Sequence, residues 1–88
     1  MSWVYRFDDR ALKDFKKLDR QAQKNILAYF EARIVGQQDP HRFGKGVTGN
    51  LAGLWRYRVG DYRILCEISE RELVVLVVTV GHRKNVYD

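Results

Sequence analysis

A chain of 88 residues with 45% hydrophobic side chains holds one packed core and has no room for a second. The lone cysteine, Cys66, excludes an internal disulfide and a multi-cysteine zinc site, and no apolar run reaches the roughly 18 residues that a membrane span requires. A formal charge of +5 suits an anionic partner, nucleic acid or acidic protein, without choosing between them.

The elements follow from periodicity. Trp3-Val4-Tyr5-Arg6-Phe7 alternates, which predicts a strand with Trp3, Tyr5 and Phe7 on one face. Asp8-Asp9 supplies an N-cap and first-turn acid, and Leu12, Phe15 and Leu18 recur at helical spacing, so a short helix is expected from about Asp9 to Lys17. Asp19 is the next N-cap candidate. Ala22, Ile26, Tyr29, Phe30 and Ile34 trace the apolar stripe of a longer helix that stops near Gly36, before Asp39-Pro40. The stretch from His41 to Gly53 carries four glycines, at 44, 46, 49 and 53, together with Arg42 and Lys45; it reads as a flexible, basic loop.

Three strands in a meander complete the chain: Leu54 to Val59, Tyr62 to Ser69 and Leu73 to Val80. Gly60-Asp61 forms a two-residue hairpin turn, and Glu70-Arg71 supplies the next. The third strand is apolar on both faces, which predicts a central position beside the N-terminal strand. The expected fold is α+β, in the order β-α-α-β-β-β. Two N-terminal helices pack on one face of a mainly antiparallel, four-stranded sheet, as a single domain over residues 1–88. Within the second strand, Ile64-Leu65-Cys66-Glu67-Ile68 marks Cys66 as a buried thiol, not a nucleophile. The N-terminal Met1-Ser2-Trp3-Val4-Tyr5-Arg6 lacks the basic-then-apolar layout of a signal peptide, so a cytoplasmic location with no membrane association is expected.

Trp55-Arg56-Tyr57-Arg58-Val59-Gly60-Asp61-Tyr62-Arg63 interleaves aromatic and basic residues. A period of two places Trp55, Tyr57 and Val59 with the helices and leaves Arg56 and Arg58 on the open face. The turn pairs Val59 with Tyr62 and Arg58 with Arg63. Directly opposed like charges cost some tenths of a kcal/mol, and an anion between them reverses that sign, because guanidinium forks grip phosphate oxygens in pairs. Two readings stay open here: a phosphate site, or arginines diverging into solvent towards neighbours such as Glu67.

The final segment, Val80-Gly81-His82-Arg83-Lys84-Asn85-Val86-Tyr87-Asp88, brings an imidazole, a guanidinium, an ammonium and a phenol to the end of the third strand. An imidazole is a side chain that can exchange protons in catalysis, which makes His82 a candidate, although a lone histidine at a strand end is also a common surface residue. Tyr87 is either a functional phenol or a frayed, partner-contacting aromatic. His41 is expected to be exposed, without a role.

Leu54-Trp55-Arg56-Tyr57-Arg58-Val59-Gly60-Asp61-Tyr62-Arg63, followed by Val80-Gly81-His82-Arg83 and Val86-Tyr87, resembles the RelE family of toxin–antitoxin ribonucleases. The segment Phe7-Asp8-Asp9-Arg10-Ala11-Leu12-Lys13-Asp14-Phe15-Lys16-Lys17-Leu18 is similar to that family's first strand and helix. The likeness covers essentially the whole chain, and its weight lies in the joint order and spacing, not in any one motif.

This resemblance implies cleavage of mRNA in the A site of the 70S ribosome, leaving a 2′,3′-cyclic phosphate and a 5′-hydroxyl. The attacking 2′-hydroxyl belongs to the RNA, so no covalent nucleophile, metal or other cofactor is implied. Arg56 and Arg58 occupy places where well-studied members carry lysines, while Arg63, Arg83 and Tyr87 match family functional residues in kind; His82 is an imidazole in only part of the family. Arginine is a poor general base, so Arg56 and Arg58 are assigned to charge stabilisation. Tyr87 and His82 compete for the role of base, with Arg83 near the leaving oxygen. Arg42, Lys45 and Lys84 are expected phosphate contacts that position without specifying. A RelB-like antitoxin is the implied partner, and no sequence-specific DNA contact is expected from this chain. The competing readings are a ParE-like protein that inhibits DNA gyrase and cuts no RNA, and a basic module that only docks an acidic partner.

Overall fold

The computed structural model describes residues 2–82. Strand β1 (Val4–Phe7) leads into helix α1 (Asp9–Lys16) and helix α2 (Arg20–Arg33). A short strand, β2 (Lys45–Gly46), precedes the meander β3 (Trp55–Val59), β4 (Tyr62–Ser69) and β5 (Val74–His82). The sheet order is β1-β5-β4-β3-β2; β1 runs parallel to β5 and the other neighbours are antiparallel. The expected β-α-α-β-β-β order and the central place of the last strand hold.

Both helices begin where an aspartate satisfies the first orphan amides. The Asp8 carboxylate accepts from the Ala11 N–H at 2.8 Å and the Asp19 carboxylate from the Ala22 N–H at 2.7 Å. Their apolar stripes, Ala11 and Phe15 on α1 and Ile26 and Phe30 on α2, pack with Tyr57, Ile64, Cys66, Val75, Val77 and Val80 from one face of the sheet. Rings order this core: Phe30 stacks on Tyr5 at 4.9 Å and meets Tyr57 edge-on at 5.8 Å. Cys66 is fully buried, and burial pushes its thiol pKa well above the ordinary value, which makes it inert.

Two features depart from the sequence reading. The expected four-stranded sheet has a fifth strand, because the glycine-rich segment is not a loose loop. Gly44 (φ +79°) lies so close to β3 that a Cβ there would collide with the Arg56 carbonyl oxygen and the Trp55 side chain. Lys45 and Gly46 then pair with Arg56 and Trp55. The approach is fixed by side chains: the Trp55 indole N–H donates to the Phe43 carbonyl at 2.6 Å and the Tyr57 hydroxyl to the Pro40 carbonyl at 2.7 Å. Val47 then packs against Leu65, with Leu51, Leu54 and Val78 around them, as a small second core on the sheet face away from the helices.

The other departure is a bulge in β5. Leu65 pairs with Thr79 but Cys66 pairs with Val77, leaving Val78 as an extra residue. The helix-facing positions switch from Val75 and Val77 before it to Val80 after it. Everything beyond Val78 is therefore turned over relative to a regular strand.

Candidate functional site

On the face away from the helices, two cross-strand rows carry the cations. One row runs Lys45, Arg56, Leu65, Thr79; the other runs Arg58, Arg63, Gly81. The Arg58–Arg63 opposition expected from the hairpin is present, with Gly60 at φ +57° in the turn. Arg58 is exposed, whereas Arg63 is only 9% exposed. The two guanidinium groups therefore sit at different depths on this face, Arg63 buried and Arg58 at the surface. The third position in that row is a glycine, so no side chain rises on the β5 side of Arg63.

Between the edge of β3 and α2 lies a cleft of about 220 Å³ lined by Tyr29, Gly44, Lys45, Arg56 and Arg58. Its back wall is anchored by a cation–π stack in which the Arg33 guanidinium sits 5.0 Å from both the Tyr29 and Phe43 rings. Burial raises the Tyr29 phenol pKa, partly offset by the Arg33 charge, so this hydroxyl is a hydrogen-bond donor at neutral pH. Tyr29 reads in the sequence as a member of the α2 stripe; the signal for a different role is its place at the edge of that stripe, beside the fully buried Phe30.

The other expected site residues separate. Arg42 is exposed on the short 3₁₀ turn Pro40–Arg42, its guanidinium 5.9 Å from the Phe43 ring. His82 pairs with Tyr62, and their rings meet edge-on at 5.7 Å. Tyr62 packs against the helix-side core, so His82 lies on the opposite face of the sheet from Arg58 and Arg63. The bulge at Val78 causes this. His41, expected to be exposed and without a role, is half-buried: its ring contacts the Asp39 carboxylate at 3.0 Å and the Trp55 ring at 4.7 Å. Hydrogen bonds from the His41 backbone N–H and ring hold the Asp39 carboxyl below the usual carboxylate range. Arg83, Lys84 and Tyr87 lie outside the described residues. Among the described residues no cluster of three His, Cys, Asp or Glu side chains gathers to hold a metal, and no helix is long and apolar enough to cross a membrane.

The two-helix, mixed-sheet fold with its arginine-bearing open face is the arrangement that the sequence resemblance implied. Residues 5–87 match the family described as the ParE toxin of the type II toxin–antitoxin system parDE. The chain belongs to this family, within the RelE/ParE toxin superfamily. It is 29% identical to Toxin RelG of Mycobacterium tuberculosis over 87 residues, covering 99% of this chain and 98% of that one. Among solved structures it is similar to the RelBE2 toxin–antitoxin complex of Mycobacterium tuberculosis, with a TM-score of 0.78, 26% identity and coverage of 94% of this chain and 100% of that one. The RelE–RelB complex of Pyrococcus horikoshii OT3 shares the fold with a TM-score of 0.69 at 19% identity, over 98% of this chain and 100% of that one.

Proposed function

We propose that this toxin is an endoribonuclease that cleaves mRNA in the ribosomal A site, with the Arg58–Arg63 pair as its phosphate grip. The observation that carries the reading is Arg63 itself: a guanidinium 9% exposed, directly across from a second one. Two guanidinium groups directly opposed across strands concentrate positive charge at one place on the open face. A phosphodiester between them would take charge-assisted contacts from both.

In the proposed reaction the RNA 2′-oxygen attacks the adjacent phosphorus and the 5′-oxygen leaves, so the chain ends as a 2′,3′-cyclic phosphate and a 5′-hydroxyl. One proton leaves the 2′-hydroxyl and one arrives on the 5′-oxygen. Arg63 and Arg58 stabilise the charge that develops on the non-bridging oxygens, and Arg56 extends the same field. Arg83 is assigned to the leaving oxygen. With the His82 ring held against Tyr62 on the helix side, the role of base falls to Tyr87. Neighbouring cations lower a phenol's pKa from about 10, the direction a base needs. Arg42, Lys45 and Lys84 contribute sequence-independent phosphate contacts, so association weakens steeply with salt. A RelB-like antitoxin of acidic and apolar character is the proposed inhibitor, masking the arginine face; the two solved structures described above are toxin–antitoxin complexes.

The ParE family match favours one alternative, a toxin that binds DNA gyrase and cuts no RNA. Primer extension on a defined mRNA, with and without programmed 70S ribosomes, separates the two. Cuts confined to the A-site codon and abolished by Arg63→Ala support the ribonuclease. Uncut mRNA from folded, antitoxin-free protein, together with inhibition of gyrase supercoiling, overturns it.

A further inference from the structure

We infer that Thr79 on β5 reads the substrate's ribose, its hydroxyl bonding the 2′-hydroxyl of the nucleotide on the 3′ side of the cleaved phosphodiester. This rests on the ribonuclease reading and adds to it a residue outside the arginine set. The observation behind it is the bulge. Val75 and Val77 face the helices, and in a regular strand Thr79 would follow them into the core. With Val78 as the extra residue, Thr79 instead pairs with Leu65, which packs with Val47 on the opposite side of the sheet. Directly opposed residues share a face, so the bulge carries a half-buried hydroxyl onto the open face. Bulges are over-represented beside active sites, where they re-aim a side chain.

The same slip sets Gly81 across from Arg63. Four register positions then border Arg63 on this face: Arg58 and Gly81 directly across, and Arg56 and Thr79 one row along, on either side of Leu65. Guanidinium groups donate hydrogen bonds and accept none, whereas the Thr79 hydroxyl does both. Phosphate oxygens need only donors, but a ribose hydroxyl also has a proton to place. Thr79 lies diagonal to Arg63 across β4 and β5, a Cα separation of roughly 7–8 Å, which suits a phosphate on one and the adjoining ribose on the other. Gly81 stands next to both without a side chain, so the departing nucleotide finds room over β5. The 2′-hydroxyl on the 5′ side is the nucleophile and gives its proton to the base, so a hydroxyl that held it would slow the attack. The 2′-hydroxyl on the 3′ side takes no part in the bond changes. It is the group that separates RNA from DNA at that nucleotide.

Single-turnover cleavage by the full-length, antitoxin-free chain on programmed 70S ribosomes tests this with two synthetic mRNAs, one all-ribose and one 2′-deoxy only at the nucleotide after the cut. Both keep the nucleophile, so both can react. Wild type runs beside Thr79→Val, which keeps a β-branched strand residue, and Thr79→Ser, which keeps the hydroxyl. About a fivefold loss of rate is expected for wild type on the deoxy message and for Thr79→Val on the all-ribose one, the scale of one neutral hydrogen bond. The two changes together should cost about the same fivefold, because both remove one contact, and Thr79→Ser should stay within about twofold of wild type. A combined loss of about 25-fold would mean that hydroxyl and ribose act independently, which overturns the assignment. So would a wild-type rate unchanged by the deoxy nucleotide, unchanged cleavage in Thr79→Val, or a Thr79→Ser as slow as Thr79→Val. The wild-type comparison needs no variant, so a folding defect cannot mask it. Failure of the ribonuclease reading shows separately, as an all-ribose message that wild type leaves uncut.

Discussion

Arg63 on β4 stands between Arg58 on β3 and Gly81 on β5, so the cross-strand row sets a buried guanidinium between an exposed one and a residue without a side chain. The glycine is unusual for a strand interior, where it weakens packing and often marks close approach of another group. Gly81→Val is expected to leave the fold at least as stable, because valine favours strands. It should lower cleavage by tenfold or more, because the new side chain rises beside Arg63. Thermal melts and single-turnover cleavage check the two halves separately; retained cleavage would remove Gly81 from the site.

The proposed phosphate grip predicts that the free protein responds to anions. A ligand present at ten times its dissociation constant stabilises the native state by about 1.4 kcal/mol, which in a domain of this size raises Tm by roughly 5–10 °C. Inorganic phosphate should therefore raise the melting temperature of the wild type in a saturable way, and much less so in Arg58→Ala. Equal, non-saturating shifts in both proteins would mean general salt effects and no grip between the two arginines.

The base assignment gives a paired prediction. His82→Phe preserves the ring contact with Tyr62 and should keep cleavage within about threefold of wild type, whereas Tyr87→Phe should cost about 10²-fold or more, the usual scale for a general base. Full activity of Tyr87→Phe would return the role to His82 despite its side of the sheet.

The alternation in Trp55-Arg56-Tyr57-Arg58 and the Gly60-Asp61 turn were enough to read the hairpin register, and with it the opposition of Arg58 and Arg63, because period and turn length are local signals. What escaped was set by distant contacts. Glycine spacing between residues 44 and 53 suggests flexibility, yet the Phe43 and Pro40 carbonyls are held by Trp55 and Tyr57, 12 and 17 residues away. The bulge at Val78 was equally hidden: a strand apolar on both faces carries no alternation from which a one-residue slip can be read, and that slip decides which face His82 occupies. Tyr29 was legible as a stripe residue, but its place in the cleft depends on where the glycine segment docks.

Burial of phenols sets a limit at high pH. The Tyr57 hydroxyl is fully buried, and desolvation raises its pKa well above 10; Tyr5 and Tyr29 shift the same way, mainly through desolvation. A folded pKa above the unfolded value means the stabilisation is intact below about pH 10 and is lost as pH rises beyond it, because only the unfolded chain releases the proton. For Tyr57 the loss approaches about 1.4 kcal/mol per pH unit. Denaturant unfolding between pH 9 and 11.5 should show this slope. Tyr57→Phe should be less stable at neutral pH by about 1 kcal/mol, the value of its bond to Pro40, but flatter above pH 10. Parallel curves for the two proteins would show that Tyr57 is not the residue responsible.

Three glycines of the 41–53 segment have positive φ, but they should not respond alike to alanine. At Gly49 (φ +74°) and Gly53 (φ +98°) a Cβ meets nothing within 4 Å, so Gly49→Ala and Gly53→Ala carry only the backbone penalty, about 1–2 kcal/mol. At Gly44 (φ +79°) the Cβ also runs into the Arg56 carbonyl oxygen and the Trp55 ring nitrogen. The carbonyl belongs to a strand backbone and cannot step aside, so Gly44 must retreat and take the pairing of Lys45 with Arg56 with it. Gly44→Ala should cost about 3 kcal/mol or more, the sum of strain and a lost strand contact, and should weaken RNA cleavage even under conditions where the variant is fully folded. Denaturant midpoints for the three variants would rank them. A Gly44→Ala protein no less stable than Gly49→Ala would mean that β2 does not need to lie against β3.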